Sequence, residues 1–132
     1  MSQHFEQVKE YIQDLGFRID EEITDEEIVI INDEDRGINN LIVDCEDSVL
    51  VLEQLIMKLS DPPAGTYRRI LQMNRGLVHG AFVLDETGDT LIYRNTLALD
   101  NLDLNELETT INSLSLGLAE NGDELLAFAS GS

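Results

Sequence analysis

The sequence predicts an α+β fold: a helix, three or four antiparallel strands, a second helix, a β-hairpin and a long third helix. Three observations predict it. Residues 77–84 and 90–97 read as strands flanking Asp85-Glu86-Thr87-Gly88-Asp89, whose glycine suits the positive φ of a short hairpin loop. Leu104, Leu107, Ile111, Leu114 and Leu118 repeat at alternating spacings of three and four, the stripe of a long amphipathic helix. Ile28 to Ile31 and Val49 to Leu52 are apolar at consecutive positions, so these strands ask for cover on both faces.

The elements follow in order. Phe5, Val8, Ile12 and Leu15 share one face of a first helix, with Ser2 as its N-cap and Gly16 just past its end. Residues 17–33 are acidic but hold Phe17, Ile19, Ile23 and the run Ile28-Val29-Ile30-Ile31, which reads as one short and one firm strand. A turn at Asp33 to Gly37 leads into a strand through Leu41-Ile42-Val43, ending at Cys45-Glu46-Asp47. Residues 49–59 fit a helix through Val49, Leu52, Ile56 and Leu59, and fit a long strand equally; the β-branched start and the short preceding turn favour strand. Pro62-Pro63 stops that element, and Tyr67, Ile70 and Leu71 carry a second helix to Gly76, with Arg68, Arg69 and Arg75 on its other side. Asp103 and Glu106 form a capping box for the third helix, which is expected to stop at Asn121-Gly122. All three helices thus end at a glycine, the residue suited to a left-handed cap. Residues 1–122 form the expected single domain and 123–132 a C-terminal tail that frays at its end.

At 132 residues the chain can bury about two thirds of the surface its unfolded form exposes. Twenty-seven acidic against 8 basic residues give a formal charge of -19, alongside a 42% hydrophobic fraction typical of folded chains. That charge argues against nucleic acid and anionic membranes as ligands and favours basic or apolar partners. The N-terminus lacks a charged n-region followed by an apolar h-region, and no apolar run approaches the ~20 residues needed to span a bilayer. A cytoplasmic location is the expectation.

Candidate chemistry is sparse. Cys45 lies between Asp44 and Glu46, whose charges suppress the thiolate that a nucleophile or metal site needs. His79 alternates with Leu77, Ala81 and Val83 and reads as a hydrogen-bonded strand histidine without metal-ligand spacing around it. Asp33 to Gly37 mimics a calcium loop, yet the glycine falls one place early and position twelve lacks a glutamate. Gly76 and Gly80 precede a strand, so they present no helix N-terminus to a phosphate. No cofactor, metal or catalytic residue is predicted, and an interaction protein is expected. A charge-based regulator, an acidic surface binding a basic partner, is the alternative.

NRGLVHGAFVLDETGD (74–89), RNTLALDNLDLNELETTINSLSLGLAE (94–120) and LIVDCEDSVLVLEQLIMKL (41–59) resemble the YbjN-like proteins related to the Tir chaperones. The broader group, the class I type III secretion chaperones, consists of small acidic cytoplasmic proteins that usually dimerise and hold the N-terminal segment of a secreted effector in a nonglobular state. The resemblance implies the same element order and supports the strand reading of 49–59. It also implies a client groove, expected to be bordered by Phe5, Val8, Ile12, Ile28 and Ile30, where a client lays apolar anchors or adds a strand to a sheet edge. A homodimer contact through Tyr67, Ile70 and Leu71 is expected on the same ground.

Overall fold

The computed structural model describes residues 2–129. Its first helix, α1 (Gln3–Asp14), starts where predicted, because the Ser2 side chain accepts the Phe5 N–H at 3.1 Å. The same hydroxyl donates to the Glu27 carboxylate, tying the helix start to the turn ahead of the second strand. Four strands follow: β1 (Ile19–Ile23), β2 (Ile28–Asp33), β3 (Ile38–Glu46) and β4 (Val49–Lys58). Residues 49–58 are therefore strand, and Pro62-Pro63 lies just beyond it. Then come α2 (Thr66–Asn74), β5 (Ala81–Leu84), β6 (Thr90–Ala98) and α3 (Leu104–Ala129).

The strands make one antiparallel sheet in the order β1-β2-β3-β4-β6-β5. β6 is drawn in beside β4 along a long ladder, from Val49↔Ala98 to Lys58↔Thr90, and β5 becomes an edge. Asp85 shapes the hairpin turn, its carboxylate accepting the N–H groups of Gly88, Asp89 and Thr90 at 3.0–3.2 Å.

Paired residues on adjacent antiparallel strands share a face. The rows Val29↔Val43↔Leu52, Ile31↔Leu41, Cys45↔Leu50 and Gln54↔Tyr93↔Phe82, with Ile38 and Leu91, hold most of the buried strand side chains. They form one core with Phe5, Val8 and Ile12 of α1, Ile70 and Met73 of α2, and Leu107, Ile111, Leu114 and Leu125 of α3. Both faces of these strands ask for cover, and the chain's own helices supply it on one face only.

Two further expectations change. The third helix runs through Gly122 to Ala129, because Leu125 is buried and Glu124 accepts a two-pronged hydrogen bond from Arg69 of α2 at 2.7 and 3.0 Å. Residues 123–129 are therefore helix and not tail; the expected fraying of 130–132 falls outside the described residues. Of the three terminal glycines only Gly16 takes a positive φ, at 88°, so the left-handed cap holds for α1 alone.

His79 lies in the loop before β5 and not in a strand. Its carbonyl accepts the Tyr93 hydroxyl at 2.7 Å and the Ser113 hydroxyl at 3.0 Å, and its N–H donates to Ser113 at 3.1 Å. Gly80, at φ +75°, is needed here, since a Cβ would meet the Tyr93 ring and hydroxyl.

Candidate functional site: an uncovered sheet face

The alternate residues of the same strands point away from the helices. Three rows cross this open face: Ile28↔Asp44↔Val51↔Thr96, Ile30↔Ile42↔Glu53↔Arg94↔Ala81, and Leu55↔Ile92↔Val83. None of these side chains is buried; Ile42 is 39% and Leu55 60% exposed. The apolar positions are interrupted by one ion pair, Arg94 Nε to Glu53 Oε1 at 2.9 Å, by Asp44 and, at the end of its row, by Thr96. This is why β2 and β4 carry consecutive apolar residues: one set builds the core and the other a half-buried to exposed aliphatic surface.

Asp44 is poorly accommodated. Its Oδ1 is shut off from solvent and accepts no hydrogen bond among the described residues. Burial, reinforced by Glu46, Glu26 and Glu53, pushes its carboxyl up to about 6. Beside it a concavity of about 520 Å³ is lined by Asp25, Glu26, Glu27, Ile28, Asp44, Cys45, Glu46 and Asp47, without a basic residue. Cys45 points into the core; burial, then the charges of Glu27 and Asp44, pushes its thiol up to about 12, which leaves it no thiolate for chemistry at neutral pH.

A second apolar feature lies between α2 and the edge strand β5. A groove of about 360 Å³ is lined by Tyr67, Ile70, Leu71, Asn74, Phe82 and Leu84 among others. Leu71 is 70% exposed at its rim, whereas Ile70 is 4% exposed and belongs to the core. Asn74 closes the adjoining edge: its amide donates to the Phe82 carbonyl at 3.1 Å and its oxygen accepts the Phe82 N–H at 2.7 Å. The opposite edge, β1, carries Asp20, Glu21 and Glu22. A guarded edge at one end and a charged one at the other both disfavour strand addition.

The five residues expected to border a client groove do not share one surface. Phe5, Val8 and Ile12 are 0–1% exposed beneath α1, while Ile28 and Ile30 lie on the other side of the sheet. The open-face residues missed in the sequence are Ile42, Val51, Leu55 and Ile92, together with Asp44. The signal that could have found them is the Leu41-Val43-Cys45 against Ile42-Asp44 alternation, which becomes legible once one set is known to face the helices.

Among the described residues no three His, Cys, Asp or Glu side chains are gathered to hold a metal ion, and no helix is long and apolar enough to cross a membrane. Three helices on one face of a six-stranded antiparallel sheet define an α+β fold of the type III secretion chaperone kind. The CesT_Tir_1 family model matches residues 1–131, and the chain belongs to that family.

Among solved structures, YbjN from E. coli superposes with a TM-score of 0.65 at 11% identity, covering 92% of each chain. The Yersinia pestis type III secretion chaperone SycH, solved with a stable fragment of YscM2, gives 0.62 at 16% identity over 88% of this chain and 98% of that one. A chain of the HopA1–SchA chaperone–effector complex gives 0.61 at 14% identity over 88% and 94%. Identities this low speak for the fold. No curated protein matches the sequence.

Proposed function

We propose that the chain is a non-enzymatic cytoplasmic binding module, chaperone-like in action, that holds an extended segment of a client protein against its open sheet face while paired with a second copy of itself. The observation that carries this reading is the aliphatic surface of Ile28, Ile30, Ile42, Val51, Leu55 and Ile92, which the chain's own helices leave uncovered. Apolar patches of that kind on a small soluble protein mark interaction sites. Membership in the CesT_Tir_1 family supports a client-binding role, as do neighbours of this fold solved as a chaperone–effector complex and as a chaperone with a fragment of another protein. Because both sheet edges are guarded, the segment lies across the face and does not extend the sheet.

The second copy packs through Tyr67 and Leu71 over the α2–β5 groove, with Ile70 forming its floor from within the core. Leu71→Asp changes an exposed residue and so leaves the fold intact; sedimentation of this variant as a monomer, where the wild type is a dimer, supports the contact, and an unchanged mass refutes it.

The client reading is tested by capture at high salt with the wild type and with Ile42→Asp. A protein retained by the wild type through a protease-sensitive, unfolded segment and lost by the variant supports it; equal retention by both refutes it. The charge-based alternative draws on the acidic concavity around Asp44. Binding of that kind dissolves with added salt, whereas an apolar surface tolerates it.

A further inference from the structure

The open face is not uniformly apolar, and the exception specifies its occupant. Asp44 sits near the C-terminal end of β3, flanked across the sheet by Ile28 and Val51 and along its own strand by Ile42 and Glu46. A carboxylate interior to a sheet surface normally finds a cation or a donor. Here the charged groups facing it are Glu46 on the same strand, Glu26 from the turn before β2 and Glu53 on β4, all of its own sign. Arg94, the cation of this face, is already held by Glu53 at 2.9 Å. The buried Oδ1 thus lacks a donor, and Glu46, close enough to share a hydrogen bond with the Asp44 carboxyl, brings no cation to it.

We propose that the box formed by Ile28, Ile42 and Val51 receives the stem of an arginine or lysine from the client segment, whose cationic tip pairs with Asp44. The occupant is therefore a protein segment in which basic residues interrupt apolar ones. This rests on the reading of the open face as the client surface. The shape fits the residue type: arginine and lysine lay an aliphatic stem along apolar surface and carry their charge at the tip. Apolar contacts with Ile28, Ile42 and Val51 and a charge-assisted hydrogen bond to Asp44 use both parts. The adjoining acidic concavity attracts the same tip from a distance.

The test measures calorimetric binding of two synthetic peptides at physiological salt. One alternates leucine with arginine; the other replaces arginine with citrulline, its uncharged isostere. The wild type binds the arginine peptide at least ~10-fold more tightly, and Asp44→Asn removes that preference, lowering affinity for the arginine peptide ~10-fold while leaving the citrulline peptide unchanged. Asp35→Asn, an exposed change at the far end of the β2–β3 hairpin, alters neither affinity by more than about twofold, which separates a site from the general attraction of a chain of charge -19. Thermal unfolding verifies that Asp44→Asn is folded. If Asp44→Asn keeps the preference, the cation site is overturned while the face stands, provided that Ile42→Ser weakens both peptides. If Ile42→Ser weakens neither, the open-face reading itself falls, and this proposal with it.

Discussion

Replacing Asp44 with asparagine should stabilise the free protein, and only above the pH at which the carboxyl loses its proton in the unfolded chain. An Asp carboxyl ordinarily titrates at 3.8, whereas here burial, with Glu46, Glu26 and Glu53, pushes it up to about 6. A tenfold change in proton affinity is worth about 1.4 kcal/mol, so the full penalty would be about 3 kcal/mol. Asp44 keeps part of its surface in water, and screening brings the expected figure to roughly 1–2 kcal/mol.

The sign follows from which state binds the proton more tightly. Below about pH 4 both folded and unfolded chains carry the neutral carboxyl, and the charge costs nothing. As pH rises from about 4 to about 6 the unfolded chain ionises first, so the wild type loses stability; above about 6 the loss is complete. Urea unfolding of both proteins across this range is the assay. The midpoints should coincide at about pH 4, and the variant should lead by roughly 1–2 kcal/mol at about pH 8. A gap of the same size at both ends would place the effect in packing, and no gap at about pH 8 would refute the reading of Asp44 as a charge without a cation beside it.

Three other outcomes are expected. Gly80→Ala, by forcing a β-carbon into the Tyr93 ring at positive φ and breaking the hydroxyl bond to His79, should cost about 2–3 kcal/mol, read as a lowered urea midpoint at unchanged slope. Asn74→Ala should cost about 1–3 kcal/mol and speed amide exchange at Phe82 more than elsewhere in β5 and β6, since both main-chain groups of Phe82 lose their partner. The Cys45 thiol, buried and pushed up to about 12, should resist a disulfide reagent in the native protein at about pH 8 and react on denaturation.

What could be read from the sequence was local. The Ser2 cap, the Asp85 turn and the Asp103 cap are side chains acting on main-chain groups a few residues away, so their spacing alone reveals them. The end of α3 misled because Gly122 resembles a stop, while what continues the helix is distant: Arg69 holding Glu124, and a core that receives Leu125. The spacing of four and three from Leu118 through Gly122 to Leu125 was the available clue.

The site was less legible than the fold. Ile28 to Ile31 announce two apolar faces, yet which face the helices take depends on β6 inserting beside β4, a long-range pairing without a local signature. Hence the sequence offers Phe5, Val8 and Ile12 together with Ile28 and Ile30, although the sheet separates them. Tyr67, Ile70 and Leu71 are named together only by the resemblance, and helical spacing alone does not reveal that Ile70 is buried while Tyr67 and Leu71 stay exposed.

In the proposed function the open sheet face holds an extended client segment while the α2–β5 groove meets a second copy of the chain. Site-specific photo-crosslinking in the source cells addresses both parts together, with the photoreactive residue at Ile42 on the open face, at Leu71 on the groove, or at Asp35 as an exposed control. Adducts from position 42 should map to a contiguous segment of another protein, adducts from position 71 should map to this chain, and position 35 should give none. Foreign segments captured from position 71 with position 42 silent, or the same adducts from all three positions, would contradict it.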